Sequence, residues 1–552
     1  MKHHVYILAF SFCILQSVDT ANAQIGNCET GMAEAMLEGG NVRARILNNG
    51  GLFWRGSPHI YEAPIDLGVS SIFVAGIWIG GHIDGELRTA ATRYGPWEFW
   101  PGPLDDAGNP PDDCTLYDHI WEITSSDILD FLNDGIVSQN LATWPWHLGA
   151  PVIDGDGNPD NYNLNGGDLP ELFGDQRLWW IMNDRGNTHE SSSSEPIGLE
   201  IHASAFAFKK QGPLGNFTFY DYQIINKNTS PFEDIYFGFF SDVDLGNFDD
   251  DYVGSDSLLH LGYVYNANPI DTGCGIDIIP PAAGFTFLET IVADDDGLDN
   301  DRDGESDEPG EMLGTTAMLN YYGGGGVTGD PVTGEDYYNY MQSRWKDGQL
   351  LTIGGYGRDL SSTPTRFSFP GDPLTKSYWS EFNYDNKGNA LQPHDKRFVT
   401  STGKFDIASG DTTQIRLAIV WSQGEDHLDS VRLLKSHTAS VRNAGNDLFA
   451  PNLVTSQTPE PVEAPPLLGF GQNFPNPFTQ FTTISYDLPK PMQVRLAVYD
   501  MLGREVNVLV NTHQQAGNYA VDFDAENLPA GVYIARIEFD LLQFTQRMIL
   551  MR

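Results

Sequence analysis

Carboxylates at alternate positions form the most specific chemical pattern in the sequence, within residues 299–308. The ligand candidates there, and the glycine among them, are Asp299, Asp301, Asp303, Gly304, Glu305 and Asp307. A tight turn at a sixth-position glycine directs several carboxylate oxygens toward one centre, which is the coordination that Ca²⁺ requires. We predict a calcium-binding loop at this segment; a solvated acidic loop is the alternative.

The twelfth position of this segment separates it from a complete EF-hand. Gly310 stands where an EF-hand has a glutamate that binds Ca²⁺ through both carboxylate oxygens. The segment is more similar to the short DxDxDG loops of thrombospondin type 3 and dockerin-like repeats. That resemblance implies calcium binding by a loop that lacks the full EF-hand ligand set.

Two weaker acidic clusters precede this loop. In the first, oxygen-bearing side chains alternate but proline replaces the sixth-position glycine; its members are Asp154, Asp156, Asn158 and Asp160. A plain turn competes with Ca²⁺ as the explanation of that pattern. The second comprises Asp242 and Asp244, followed by aspartates at 249–251. Close carboxylates repel unless a cation or hydrogen bonds offset them, so we predict a metal site there, and two clusters can share one ion.

The charge balance excludes two classes of partner. The 552-residue chain carries 75 Asp and Glu against 31 Lys and Arg, a formal net charge of −44. Such a field repels nucleic acids and anionic membrane surfaces. Bound divalent cations, a saline habitat and solubility each explain the acidity, and composition alone does not choose among them.

Sequence signatures of catalysis are missing. No GxSxG, HExxH, phosphate-binding glycine loop or reactive-cysteine motif occurs. A glycosidase needs two carboxylates, but among 75 acidic residues any chosen pair is arbitrary. We interpret the scattered histidines as structural. We predict that six tryptophans pack in the core or anchor loops, and stacking on sugars is the alternative. They are Trp97, Trp100, Trp144, Trp146, Trp179 and Trp180.

Three cysteines follow the first 23 residues: Cys28, Cys114 and Cys274. An odd number in an oxidising compartment fits one disulfide and one free thiol. We predict the pair Cys114–Cys274, although the spacing does not settle the pairing. No CxxC or Cys/His spacing indicates zinc.

Residues 1–23 have the three parts of a secretory signal peptide. A basic start at Lys2 precedes a mostly apolar stretch over residues 5–18. Small residues at Ala21 and Ala23 then predict cleavage before Gln24. A buried N-terminal helix is the alternative. No later stretch is long and apolar enough to span a bilayer, so we expect a secreted protein without a transmembrane span.

The elements that must position the acidic clusters are mainly strands. Residues 24–449 form one large β-rich module, or two packed subdomains, with aromatic and β-branched runs at 52–54, 72–79, 217–225, 235–240 and 415–421. Residues 425–449 predict a helix that packs on the sheet, because their apolar side chains fall on one stripe. The stripe consists of Val431, Leu434, Thr438, Val441 and Leu448.

A proline-rich segment over residues 450–466 separates this module from a smaller one at 467–552. Prolines and small polar residues block helix and sheet there, which predicts a linker. After it, apolar and polar side chains alternate in short runs, with turns at 501–503 and 529–531. Several such strands in under about 100 residues predict a small β-sandwich.

Four motifs in order make the smaller module specific: NFPNPF (473–478), YDMLGREV (499–506), LPAGVY (528–533) and RMILMR (547–552). Together they resemble the type A C-terminal sorting domain of the type IX (Por) secretion system. The resemblance implies an immunoglobulin-like β-sandwich recognised at the outer membrane and usually cleaved after passage, with the cargo anchored to lipopolysaccharide or released. The sorting-motif residues are Asn473, Pro475, Asn476, Pro477, Phe478, Gly503, Arg504 and Gly531.

Segments of the large module resemble an uncharacterised family of secreted proteins that carry the same sorting domain. They are WIGG (78–81), YDHIW (117–121), DQRLWW (175–180) and DDYVG (250–254). The resemblance spans most of the module and implies one continuous unit, with no known activity.

These observations predict a mainly β protein: a large β-rich module with few helices, and a small immunoglobulin-like sandwich. We predict a secreted or cell-surface structural or interaction protein, stabilised by Ca²⁺ and exported by the type IX secretion machinery. Further candidate partners are a second copy of the chain and surface polysaccharide or lipopolysaccharide. The alternative is a secreted hydrolase or glycan-binding protein that acts on extracellular polymers; the sequence makes no positive case for an enzyme.

Overall fold

The computed structural model describes residues 25–65, 68–210, 212–271, 278–294, 297–300, 306–359, 362–376, 378–449, 469–470, 473, 475–488, 491–501, 503–526, 528–539 and 542–551. The predicted signal peptide, with its cleavage residues Ala21, Ala23 and Gln24, and the predicted linker at 450–466 lie outside this part of the chain. Both stay predictions, as does the division into domains.

Strands dominate the described chain, which confirms the mainly β fold class. Its helices are α1 (Ser125–Asp134), α2 (Gln139–Ala142), α3 (Gly334–Met341) and α4 (His427–Ala444). Its first strands are β1 (Glu34–Glu38), β2 (Arg43–Leu47), β3 (Gly51–Leu52), β4 (Tyr61–Glu62), β5 (Val74–Ile83), β6 (Glu86–Ala91), β7 (Trp100–Pro101), β8 (Trp121–Thr124), β9 (Val152–Ile153) and β10 (Leu169–Pro170).

The long strands of the large module come next in the chain. They are β11 (Gln176–Asn183), β12 (Leu199–Ala207), β13 (Phe217–Asn226), β14 (Phe232–Val243), β15 (Asp251–Asp256), β16 (Leu261–Asn266), β17 (Ala282–Glu289), β18 (Ala317–Tyr321), β19 (Lys396–Ile407) and β20 (Thr412–Ser422). The smaller module contains β21 (Gly469–Phe470), β22 (Phe481–Leu488), β23 (Met492–Asp500), β24 (Glu505–Gln514), β25 (Gly517–Asp524), β26 (Gly531–Phe539) and β27 (Leu542–Leu550).

Two nine-stranded sheets form the large module. The first sheet has the order β1-β2-β3-β5-β14-β19-β18, with β4 beside β2 and β6 beside β5. The second has the order β15-β16-β17-β20-β13-β12-β11-β7, with β8 beside β11, while β9 and β10 form a separate pair. Four predicted strands are present as β5, β13, β14 and β20; they were predicted at 72–79, 217–225, 235–240 and 415–421. The strand predicted at 52–54 overlaps only the two-residue strand β3.

Aromatic side chains fill the space between the two sheets. The Phe239 ring of the first sheet lies 6.1 Å from Tyr220 and 5.9 Å from Phe285 of the second, between centroids. Because side chains alternate along a strand, Phe240 points to the opposite, outer face, where it stacks on Trp78 at 5.3 Å. Both faces of the first sheet are therefore covered, and its central strands are aromatic-rich instead of strictly alternating.

Two helices cover the outer faces of the sheets. α3 packs on the first sheet, where Tyr337 meets Trp78 edge to face with ring centroids 4.7 Å apart. α4 packs on β16, β17 and β20 of the second sheet, and a 3₁₀ turn at Gly445–Phe449 follows it. The predicted helix is confirmed, because every side chain of its stripe is buried: Val431, Leu434, Thr438, Val441 and Leu448.

The smaller module has its own hydrophobic core between two sheets. One sheet has the order β21-β22-β25 and the other β24-β23-β26-β27. Apolar residues at alternate positions, such as Val494, Leu496 and Val498, point into this core and are fully buried. The alternation therefore predicted these strands correctly. β24 was not predicted, although Val506, Val508 and Val510 alternate along it, and none of its side chains is fully buried.

The predicted disulfide between Cys114 and Cys274 is wrong, because Cys114 is bonded to Cys28 with the two Cα atoms 5.6 Å apart. The Cys28 N–H donates to the Gly186 carbonyl at 2.7 Å, and Trp100 packs against both cysteines. These contacts bring the N-terminal segment beside residue 114, a proximity that spacing along the chain does not reveal. Cys274 lies outside the described residues.

Candidate functional site

The predicted calcium loop at 299–308 lies only partly within the described chain. Asp301, Asp303 and Glu305 lie outside it, whereas Asp299 and Asp307 lie inside. Asp307 accepts a hydrogen bond from the Gly297 N–H at 2.8 Å and has a left-handed φ of 61°. Calcium binding by this loop stays a prediction.

The cluster at residues 154–160 is a compact turn that gathers a third acidic residue from outside it. One carboxylate oxygen each from Asp154, Asp156 and Asp168 lie within 4.8 Å of one another. Asp168 is buried and accepts hydrogen bonds from the N–H groups of Gly155 and Asn163, at 3.0 and 2.6 Å. Asp154 and Asp156 are exposed. The structure therefore brings together two of the predicted ligands and adds Asp168.

The other predicted ligands of this cluster contact the turn itself. Asn158 accepts the Asp160 N–H at 3.3 Å, and its own N–H donates to Asp154 and Asp156 at 3.1 and 3.0 Å. Hydrogen bonds from Asn163 and then Asn161 hold the pKa of the Asp156 carboxyl below its ordinary value. Donors within the turn thus offset part of its negative charge, as expected for the turn alternative.

A second group of carboxylates converges at one end of the first sheet. Asp242 lies on β14, Asp244 follows that strand, and Asp395 directly precedes the neighbouring strand β19. One carboxylate oxygen from each lies within 4.8 Å of the other two. The antiparallel register opposes Asp242 to Arg397, which places residue 395 beside the end of β14. The predicted pair is brought together and joined by a third carboxylate.

Tyr94 and Arg397 hold two of these carboxylates in place. The Tyr94 hydroxyl donates to Asp242 Oδ2 at 2.5 Å. Arg397 donates through Nε to the Tyr94 oxygen at 2.5 Å and through a terminal nitrogen to Asp395 Oδ2 at 2.6 Å. Arg397 Nε also lies 3.5 Å from Asp242 Oδ2. Arg397 thus contacts two of the three carboxylates, and its positive charge also acts on Asp244.

Burial and mutual repulsion raise the pKa values of the aspartates at this end of β14. Removal from water, followed by the charge of Asp244, raises the pKa of Asp242 to about 8. Burial and then the charge of Asp395 raise the pKa of Asp244 to about 6. Burial also raises the pKa of Asp251, the first residue of β15, well above its ordinary value. Burial thus favours the protonated form of several carboxyls around this end of β14.

Two of the histidines and most of the tryptophans considered as functional groups are buried in the core, whereas His119 and His147 are exposed. His189 is buried with its two ring nitrogens at 2.8 and 2.7 Å from the Thr89 and Asp184 carbonyls. His260 is buried and accepts the Thr315 N–H at 2.8 Å. Four of the six tryptophans are buried and the last two are half-buried: Trp100, Trp144, Trp179, Trp180, Trp97 and Trp146. These positions agree with structural roles.

The first sorting motif ties the start of the smaller module to its last strand. The Asn476 side chain donates to the Arg547 carbonyl at 3.0 Å and accepts the Ile549 N–H at 2.8 Å. The Phe478 N–H donates to the Ile549 carbonyl at 2.9 Å, and its carbonyl accepts the Met551 N–H at 2.7 Å. Phe478 is also buried in the core. The motif therefore closes the sandwich.

The other motif residues shape turns and strand starts. Asn473 is buried and donates to the Pro475 carbonyl and Thr482 Oγ1, at 3.2 and 2.7 Å. Gly503 has a φ of 75° in the turn between β23 and β24, a conformation that favours glycine, and Arg504 forms an ion pair across that turn. The remaining motif residues lie directly before Phe478 or open β26: Pro477 and Gly531.

A family model for the secretion system C-terminal sorting domain matches residues 472–551. The smaller module is a type IX sorting domain. The chain is therefore a secreted or cell-surface protein that engages the secretion machinery. No helix among the described residues has the length and apolar character needed to cross a membrane.

Beyond the sorting domain, similarity to known proteins is faint. No curated protein matches the chain. A polysaccharide lyase of known structure is similar over 64% of this chain and 34% of its own, at 8% identity and a TM-score of 0.18. The chain thus spans about a third of the length of that structure. Similarity at this level carries no argument about fold or activity.

Four residues of the two acidic groups carried no signal in the sequence: Asp168, Asp395, Tyr94 and Arg397. Asp168 follows two glycines in a turn-rich segment, a context that predicts a loop but no ligand. Asp395 and Arg397 flank the start of β19, which was not predicted. Pairing that strand with β14 is the step that would have placed them beside Asp242.

Proposed function

We propose that this protein is a calcium-stabilised structural or interaction protein of the cell exterior, delivered by type IX secretion. The proposal rests on the combination of two features in one chain. A sorting domain follows a module in which acidic side chains converge in groups. A ligand that binds the folded state and not the unfolded chain stabilises the fold by mass action. Extracellular calcium modules bind Ca²⁺ with dissociation constants of about 10⁻⁴–10⁻³ M.

The packing of the large module supports a structural or interaction role. Eight of the 12 tryptophans are buried, and the others are half-buried. The aromatic surface of these side chains therefore contributes to packing between and around the sheets. An exposed row of tryptophans would have supported a polysaccharide platform instead.

The chemistry of the acidic groups supports Ca²⁺ as the stabilising ion. Each group offers carboxylate oxygens without histidine or cysteine, and an oxygen-only ligand set suits a hard cation better than zinc. Bound Ca²⁺ would neutralise carboxylates that otherwise repel and would order the segments that hold them. Stability, and any assembly built on these segments, should therefore depend on Ca²⁺.

Thermal unfolding of the mature protein tests the stabilising role. We expect a higher Tm in excess Ca²⁺ than in excess chelator, with Mg²⁺ as the matched divalent control. Equal melting temperatures would contradict the proposal. A parallel NaCl series separates adaptation to salt, which predicts a fold that loosens at low ionic strength even when Ca²⁺ is supplied.

The size of the native protein tests the structural role. The protein is isolated from the cell surface and from the medium, and its mass is measured in Ca²⁺ and then in chelator. A large assembly that dissociates on chelation supports a component of the cell exterior held together by Ca²⁺. A compact monomer in both conditions argues against self-assembly and favours the second candidate below.

The second candidate is a secreted hydrolase or glycan-binding protein that acts on extracellular polymers. Three half-buried rings, Trp54, Phe73 and Tyr94, cluster with centroids 5.7 to 6.4 Å apart, and Tyr94 donates to Asp242. Aromatic faces beside a protonated carboxyl are elements of sugar sites. Retention on polysaccharide columns and release of reducing ends test it, with Asp242→Asn as the variant. If the protein is not retained on any column and releases no reducing ends, this candidate is excluded.

A further inference from the structure

We infer that Asp242, Asp244 and Asp395 form a binding site for one divalent cation, and that this cation is Ca²⁺. The inference rests on the calcium-stabilised function proposed above and deepens it. It assigns a site built from separate parts of the chain, where no loop motif marks it.

Strand pairing gathers the ligands. β14 and β19 are neighbours in the first sheet, and their register opposes Val243 to Lys396. Asp244, one residue past β14, therefore lies near Asp395, one residue before β19. The three carboxylates offer oxygens within 4.8 Å of one another, a spacing that lets a single ion contact all three.

Two carboxylate oxygens at this site are buried and have no hydrogen-bond partner among the described residues: Asp242 Oδ1 and Asp395 Oδ1. The Asp242 side chain is only 5% exposed. Tyr94 donates to Asp242 Oδ2 and Arg397 donates to Asp395 Oδ2, so the unpaired oxygens are the ones left for a ligand. Burying such an oxygen without a partner costs free energy, and a cation between them would remove that cost for both residues.

The charge of the group matches a divalent cation. Once all three carboxyls have released their protons on metal binding, they and the Arg397 guanidinium carry a formal charge of −2 within the described chain. A divalent cation neutralises this charge, whereas a monovalent cation leaves one negative charge.

The ligand chemistry favours Ca²⁺ among divalent cations. The donors are carboxylate oxygens from two strand ends, and Arg397 already restricts how two of them can turn. Ca²⁺ accepts irregular sets of six to eight oxygens, whereas Mg²⁺ demands near-ideal octahedral geometry and zinc favours nitrogen and sulfur ligands. The bound ion would join the end of β14 to the start of β19, next to the loop that carries Tyr94.

Calorimetric titration of the mature protein with CaCl₂ tests the inference. We expect Asp242→Asn/Asp395→Asn to bind one Ca²⁺ fewer per chain, or to bind it at least about 100-fold more weakly at this site, because ligand charge sets affinity. The exposed pair Asp106→Asn/Asp134→Asn is the charge-matched control and should behave as wild type. Asp154→Asn/Asp156→Asn removes two carboxylates of the other group and should retain this site.

Two results would overturn the inference. The first is an unchanged stoichiometry and affinity in the Asp242→Asn/Asp395→Asn variant. The second applies if that variant fails to fold: wild-type crystals grown with Mn²⁺ in place of Ca²⁺ should show an anomalous peak among the three carboxylates, and its absence at saturating Mn²⁺ rejects the site.

The outcomes separate this inference from the function on which it rests. Ca²⁺ that still raises the Tm of the double variant as much as that of wild type overturns the site and leaves the calcium-stabilised function standing. A peak at the site in a protein whose Tm ignores Ca²⁺ supports the site and contradicts the stabilising function.

Discussion

At the scale of single residues, the buried aspartates make the metal-free protein sensitive to pH. The pKa values of Asp242 and Asp244 rise in the folded state to about 8 and about 6, from an ordinary value of 3.8. At pH values between the ordinary pKa and the raised one, each of these carboxyls keeps its proton in the folded protein and loses it in the unfolded chain. By linkage, stability in chelator should therefore fall as pH rises from about 4 to about 8, by up to about 1.4 kcal/mol per pH unit for each proton.

Urea unfolding between pH 4 and pH 8 in chelator measures this slope. Asp242→Asn cannot ionise and should reduce the slope in the upper part of the window by the contribution of about one proton. Asp134→Asn, at an exposed position, should keep the wild-type slope. A stability that increases with pH across the window would show that these carboxyls are not buried as described.

The disulfide gives a second prediction at this scale. Cys28 and Cys114 are 86 positions apart, and a crosslink that closes a loop of this length stabilises a domain by about 2–5 kcal/mol. Cys114→Ser should lower the free energy of unfolding of the large module by that amount, measured by urea denaturation. Cys274→Ser is the control and should leave it unchanged. Equal losses in both variants would favour the pairing that the sequence suggested.

At the scale of elements, the segment before β22 should control the stability of the sorting domain. Asn476→Ala removes two hydrogen bonds to β27 and leaves the Ile549 N–H without its acceptor, at a cost of about 1–3 kcal/mol. Calorimetric unfolding of the sorting domain checks this value, and the exported fraction in a type IX secreting host should decrease with it.

An exposed residue of the same domain supplies the control for that variant. Asn511 accepts one hydrogen bond from Gln493 on the exposed face of β23 and β24. Asn511→Ala should change the free energy of unfolding by less than about 0.5 kcal/mol and leave export intact. A similar loss in both variants would mean that the motif has no special role in closing the domain.

Elements were predictable where burial imposes one sequence pattern. β23 alternates because one face meets a core, and α4 shows a stripe because one side meets β17 and β20. β24 carries valines at alternate positions, but none of its side chains is fully buried, so its alternation does not mark one core-facing side. The Asp242 site was predictable only in part. Asp244 is close to Asp242 in the sequence, whereas Asp395 reaches the site through the pairing of β14 with β19.

At the scale of the whole molecule, the two hydrophobic cores share no residue. Leu434 is fully buried between α4 and the second sheet, and Leu496 is fully buried in the sorting domain. Calorimetry should therefore resolve two transitions. Each Leu→Ala substitution should lower the free energy of unfolding of its own module by about 2–5 kcal/mol, and the transition of the other module should not move. A single transition that moves with either substitution would show that the cores unfold together.

The parallel contact between Phe478 and Leu550 has a mechanical consequence. The segment at Phe478 enters the sorting domain and β27 leaves it, so a pull on the two ends loads their hydrogen bonds along the strand direction. Bonds loaded in this shear geometry bear force together, whereas the bonds of a hairpin pulled from its open end break one after another. We expect the domain to act as a force-bearing coupling between cargo and machinery. Single-molecule pulling should show a high rupture force that Asn476→Ala lowers.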